Sequence, residues 1–228
     1  MYRLGRYRED DRMGDLISDN YSVLLVLSRF GISLGFGDSS IGQVCCKNGV
    51  DVTTFLSVVN FMISGEVDLG FSIESMVGYL HRAHDYYLDY RLPAIRAKLT
   101  EVMGDDCGDV SRAVMRFFDD YCAEVGGHMS YEEQNVFPYV RELLAGHRKS
   151  GYDIGIFRKR HDRVEAKLTE LKNILIKYYP GDSSNELNGV LFDIFACEQD
   201  LASHNMVEDV LFVPAVTELE RKWARGSK

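Results

Sequence analysis

Two stretches decide how this chain is read: His128-Met-Ser-Tyr-Glu132-Glu-Gln-Asn-Val-Phe-Pro138 and His204-Asn-Met-Val-Glu208-Asp-Val-Leu-Phe-Val-Pro214. In each, a glutamate follows the histidine by four residues and a proline follows it by ten. On a helix of ~3.6 residues per turn, a spacing of four stacks imidazole and carboxylate on one face, where one metal ion could touch both. A single histidine precedes each stretch at a matching distance: His84 lies 44 residues before His128, and His161 lies 43 before His204. The chain therefore reads as two copies of one unit, a helix with one inward histidine followed by a helix with His-x-x-x-Glu. Four such helices with six converging ligands predict a bundle with a two-metal centre in its core.

Working outward from the motifs, apolar residues recur with helical period around every one of these histidines. The first bundle helix starts after a capping Ser72 and carries Ile73, Val77, Leu80, His84, Tyr87, Ile95 and Leu99 on one side; Pro93 kinks it without ending it. The second, about 110–145, has the row Val114, Phe117, Tyr121, Val125, His128, Glu132 and Val136. Gly126-Gly127 lies just before His128 and costs roughly 1 kcal/mol of helix propensity per glycine, which close approach of a neighbouring helix or a ligand would explain. The third helix has Phe157, His161, Val164, Leu168, Leu171 and Leu175 inward. The turn Pro180-Gly-Asp-Ser-Ser184 leads to the fourth, about 185–223, with Leu187, Leu191, Ile194, Cys197, Leu201, His204, Glu208 and Leu211 on one face.

Upstream, a helix over 13–29, a short one capped by Asp38-Ser-Ser, and one running from Val52 after Asp51 form a small module, and 64–71 reads as a linker. The expected organisation is all-α: a small N-terminal helical domain over 1–68, then a four-helix bundle over 69–228. Net charge is −9 with both signs interspersed, which argues against a nucleic-acid surface. Neither a signal-peptide pattern nor an apolar run of membrane-spanning length is present, so a cytoplasmic protein with no membrane partner is expected. Five cysteines without framework spacing fit a reducing compartment.

A lone histidine on an apolar stripe is usually a satisfied core residue. Four of the chain's six histidines on four separate inward rows, two with a glutamate alongside, are another matter. Burying those carboxylates without compensation would cost several kcal/mol. The predicted metal ligands are His84, His128, Glu132, His161, His204 and Glu208. Six ligands with two carboxylates able to bridge suit a metal pair, and the donor types suit iron or manganese, with zinc, copper and nickel left open. His81 sits on a neighbouring face, and His147 falls in a loop. Glu133, Asp85 and Asp209 point about 100° away from the ligands on an α-helix and are expected at the surface. Tyr87, Tyr121 and Tyr131 read as core or boundary residues, with a hydrogen bond toward the ligands as the alternative. Cys45-Cys46 reads either as a redox pair or as two small apolar residues.

The helices bearing these residues, with Glu-Glu-Gln-Asn-Val-Phe-Pro138 and Val-Leu-Phe-Val-Pro214, resemble the hemerythrin-like di-iron domain. The N-terminal module, with Arg29-Phe-Gly-Ile-Ser-Leu-Gly and Gly49-Val-Asp-Val, looks like the small domain that precedes it in the repair-of-iron-centres family. That resemblance implies two iron ions joined by Glu132, Glu208 and a bridging oxo or hydroxo group, with the four histidines as terminal ligands. It implies repair of iron-sulfur clusters damaged by nitrosative or oxidative stress, through iron donation or nitric oxide reduction. The implied partners are damaged iron-sulfur proteins, an unidentified electron donor, and nitric oxide, oxygen or peroxide; a homodimer is left open. The alternatives are a di-iron sensor of oxygen or nitric oxide and an oxidase or nitric oxide reductase. Many members of that family carry adjacent cysteines in the loop after the first helix, where this chain has Leu34-Gly-Phe-Gly-Asp38.

Overall fold

The computed structural model describes residues 6–103, 108–147, 151–158, 165–179 and 185–226. His161, Val164 and the turn 180–184 lie outside the described residues, as do Cys107 and the side chain of Leu168. The described chain is an all-α helical bundle; its one β feature is an isolated bridge between Arg12 and Ser40. Among the described residues no helix is long and apolar enough to cross a membrane.

The helices are α1 (Met13–Asp19), α2 (Val23–Arg29), α3 (Ile41–Lys47), α4 (Val52–Ser64), α5 (Ile73–Asp85), α6 (Leu92–Met103), α7 (Asp109–Tyr131), α8 (Phe137–Leu144), α9 (Gly155–Arg158), α10 (Glu165–Tyr178), α11 (Asn185–Val207) and α12 (Val213–Gly226). Among the described residues, π-helical turns join helices end to end at Tyr86–Arg91 between α5 and α6, Glu132–Val136 between α7 and α8, and Glu208–Phe212 between α11 and α12. By contact the chain forms two compact units, one of residues 1–83, 140–154 and 206–228, the other of residues 84–139 and 155–205.

In the first unit, the helix expected over 13–29 is two helices. Asn20 has φ −142° and ψ 78°, outside helical values, and its side-chain amide donates to the hydroxyl of Tyr7 at 3.2 Å. The tertiary hydrogen bond wins over continued apolar periodicity. The caps follow the sequence closely. Ser40 and Gln43 form a reciprocal capping box on α3, Asp51 accepts from Thr54 N at 2.7 Å, and Ser72 accepts from Ser75 N at 3.2 Å. Asn60 is buried in α4 and closes both its polar ends on the backbone of Tyr7, which pins the N-terminal strand of chain to the helix. Cys45 is fully buried, and burial with the nearby charge of Asp51 pushes its thiol up to about 12. It behaves as a small apolar residue of the core, while Cys46 next to it is exposed.

In the second unit, α7 packs against α6 and α10. Arg91, at the end of the first π turn, donates to the side chain of Asp193 at 3.1 Å and to its carbonyl at 2.9 Å, and Lys98 reaches the same carboxylate at 2.6 Å. Lys172 of α10 pairs with Glu198 of α11. The buried row of α7 is Val114, Phe118, Tyr121, Val125 and Met129, continuing to Glu132 and Val136; Phe117 is only half-buried. The row advances in steps of three or four residues, and the expectation at Phe117 was one position off.

Close approach of a neighbouring helix at Gly126-Gly127 is not found among the described residues. A Cβ at Gly126 would meet Leu88 Cδ2 at 3.8 Å, an ordinary contact, and one at Gly127 would meet nothing within 4 Å among the described residues. Gly127→Ala should therefore raise the unfolding free energy by up to about 1 kcal/mol, the helix-propensity difference. Urea unfolding of the two proteins checks it; a destabilised variant would mean that Gly127 faces something.

Candidate metal centre

His84 sits in the last turn of α5, and His204 one turn before the end of α11. Both are buried, 2% and 1% exposed. Glu132 and Glu208 are the first residues of two π turns, and neither has any exposed surface. These four residues each offer one ligand atom, and the four atoms lie within 4.8 Å of one another. Two imidazoles and two carboxylates so gathered form a group able to hold a metal ion. A divalent cation also removes the electrostatic objection to two carboxylates buried together, which burial alone would penalise by several kcal/mol per charge. The donor set therefore fits iron on chemical grounds, mixed imidazole and carboxylate being a borderline-hard environment without thiolate.

His128 completes one side. Its Nε2 lies 2.8 Å from Glu132 Oε1, while His84 Nε2 lies 3.0 Å from Glu132 Oε2. The two oxygens of one carboxylate thus face two different imidazole nitrogens. Neither oxygen is aligned as a hydrogen-bond acceptor with a described residue despite these short approaches. His128 is 11% exposed, at the rim of the cluster rather than on the buried row. His161 lies outside the described residues.

The rings are held by packing. Phe137 stacks on His84 at 5.5 Å between centroids and 11° between planes, Phe157 stacks on His128 at 6.1 Å and 17°, and His84 meets His204 edge-on at 5.3 Å. The second nitrogen of His84, Nδ1, lies 2.8 Å from Glu133 Oε1. With the Nδ1 proton donated to that carboxylate, the lone pair of His84 is left on Nε2, facing Glu132. Glu133 was expected to be a surface residue 100° from the ligands; it holds one of them instead. Its side chain is 30% exposed and reaches His84 of α5 from beside the cluster. Asp85 is exposed, as expected.

The π turns carry the one regularity that the α-helical reading missed. The N–H of Leu92 donates to the carbonyl of Tyr87, that of Phe137 to Glu132, and that of Val213 to Glu208, each five residues back. Each donor immediately precedes a proline, and each acceptor lies six residues before that proline. Proline removes a donor and crowds the carbonyl four residues back, so a local i→i+5 bond relieves the helix without breaking it. The prolines were visible in the sequence. Read as π markers rather than as kinks, they point to Glu132, Glu208 and Tyr87 as equivalent positions.

A family model described as Hemerythrin HHE cation binding domain matches residues 75–216. No curated protein matches the chain.

A bound cation should stabilise the fold by mass action, by about 2.7 kcal/mol at a free concentration of 100 Kd. For a chain of this size that is worth very roughly 5–10 °C in Tm. Scanning calorimetry on chelator-treated protein, with and without added ferrous ion, checks this; identical melting curves would mean that the cluster holds no cation.

Proposed function

Since the chain belongs to the hemerythrin HHE cation-binding family, we propose that it holds two iron ions and acts in the repair of iron-sulfur clusters damaged by nitrosative or oxidative stress. The observation that carries the two-metal reading is Glu132, whose oxygens face His84 Nε2 at 3.0 Å and His128 Nε2 at 2.8 Å. A carboxylate that shows one oxygen to each of two imidazoles is arranged to bridge two ions, each with its own histidine. Glu208 occupies the same place in the second motif and is the second bridge. His84, His128, His161 and His204 are the terminal ligands in this reading, and four histidines leave coordination positions open for nitric oxide, oxygen or peroxide.

Bound iron supplies one-electron redox steps and an open position for a small ligand. The chain supplies the rest. Glu133 fixes the tautomer of His84, while Phe137 and Phe157 cover two imidazole faces and keep water from them. In this reading residues 1–68 form a small helical domain ahead of the iron domain at 69–228, in the cytoplasm, and that domain meets the damaged iron-sulfur protein. The likeness of Arg29-Phe-Gly-Ile-Ser-Leu-Gly and Gly49-Val-Asp-Val to the module preceding the bundle in repair proteins supports the assignment.

Iron-loaded protein incubated with a nitric-oxide-damaged iron-sulfur enzyme should restore that enzyme's activity, and the Glu132→Ala, Glu208→Ala double variant should not. Equal recovery with both proteins sinks the repair reading. Glu133→Ala should weaken iron binding by about 10–100-fold, the usual cost of losing a partner behind a ligating histidine. Competition with a colorimetric chelator reads that change, and unchanged affinity would show that Glu133 does not orient His84.

A further inference from the structure

The first π turn carries three tyrosines that form a line from the cluster to the surface. The buried ring of Tyr87 meets His204 edge-on at 5.8 Å between centroids. Tyr86, half-buried, meets Tyr87 at 5.5 Å, and Tyr90 meets Tyr86 at 5.7 Å. Tyr90 is 63% exposed. All three ring separations fall within the range of direct aromatic contact. Tyr87 also lies six residues before Pro93, the position that in the other two motifs delivers Glu132 and Glu208 to the cluster. Its hydroxyl donates to Asp200 Oδ2 at 2.7 Å, so a proton acceptor is already in place beside it.

Packing alone accounts for Tyr87 but not for the sequence of three. An aromatic ring recruited for the core would be covered, whereas Tyr90 extends the contact chain into solvent. Tyrosine is oxidised by one electron only when its phenolic proton can leave, and the Asp200 contact meets that requirement at the innermost ring.

We propose that Tyr87, Tyr86 and Tyr90 are a relay that carries oxidising equivalents from the metal site to the surface when peroxide is reduced there. The proposal rests on the metal reading above, with hydrogen peroxide as the oxidant. Tyr87 gives an electron toward the site and its proton to Asp200, leaving a neutral tyrosyl radical. Tyr86 refills Tyr87, whose proton returns from Asp200, and Tyr90 then refills Tyr86; the proton that Tyr90 loses goes to water. The first passage leaves a Tyr90 radical, which the Tyr90 phenol of a second chain refills by giving up an electron and a proton, so that a second passage can follow. The two passages, with two protons taken up from solvent, break the O–O bond, turn one peroxide into two waters and leave one Tyr90 radical on each chain. Tyr90 radicals on two chains join by a new ring-to-ring C–C bond, so the balance is one peroxide and two tyrosines giving two waters and one dityrosine. A soluble one-electron reductant such as ascorbate competes by returning Tyr90 to the phenol. The relay thus draws damaging oxidation away from His204.

The test treats iron-loaded full-length protein with hydrogen peroxide. Three quantities are read: iron content, the tyrosyl radical by freeze-quench electron paramagnetic resonance, and dityrosine by fluorescence and peptide mapping. The wild type should give a radical and a cross-link at Tyr90, and ascorbate should suppress the cross-link. Tyr87→Phe keeps the ring but not the hydroxyl; it should retain iron and lose both the radical at Tyr90 and the cross-link. Tyr90→Phe should retain the radical and lose the cross-link. Tyr21→Phe removes a tyrosine that is 82% exposed and has no part in the chain of ring contacts, and it should match the wild type. Iron-loaded wild type that forms no tyrosyl radical overturns the relay while leaving the metal reading intact, and so does Tyr87→Phe cross-linking as well as wild type. A chain that takes up no iron overturns both.

Discussion

Two carboxylates with no exposed surface, set among imidazoles, are the constraint from which the rest of the structure follows. An apolar interior tolerates such groups only when their charge is balanced, and a cation does this where a few neutral side chains would not. The helices that bring the carboxylates in must therefore also bring ligands of matching hardness, hold them at a common depth and keep water away. The contacts around the cluster serve those needs one by one. Phe137 and Phe157 lie flat on two imidazoles, His84 and His204 meet edge to face, and Glu133 fixes the proton on the far side of His84. None of these partners contributes much alone, but together they leave the ligands little freedom to turn.

The N-terminal helices are built by different means. Their order comes from end caps on α3 and α4 and from the buried amide of Asn60, which completes the backbone of Tyr7. The pair Cys45-Cys46 divides between these environments. One thiol is in the core and held protonated by burial, and its neighbour is at the surface. A vicinal redox pair needs both sulfurs reachable, and Cys45 is fully buried.

The bundle and most of its site were legible because the strongest signals in the chain are periodic. His-x-x-x-Glu occurs twice, and the spacing of the apolar residues around it sets which way each helix faces. His84, Glu132, His204 and Glu208 are brought together where those rows predicted. What was not legible depends on departures from the ideal helix and on contacts between elements. Asn20 breaks the first helix because its side chain finds Tyr7, a contact made only in three dimensions. Glu133 was assigned outward from its own helix alone, and its partner is His84 of another helix, a contact likewise made only in three dimensions. Gly126-Gly127 remains unexplained by packing among the described residues.

The wide turns have a further consequence for how such a chain can change over time. Each places one more residue in a helix than an ideal turn holds, so everything downstream is rotated by about 100° relative to an uninterrupted helix. The ligand half and the following core half of each helix therefore keep separate registers. Gain or loss of a single amino acid within 86–91, 132–136 or 208–212 can be taken up by opening or closing the turn, without pulling a histidine out of the cluster or a leucine out of the interior. Homologues of unequal length at these three places are then variants of one architecture, and their ligands align only when the gap is put at the turn.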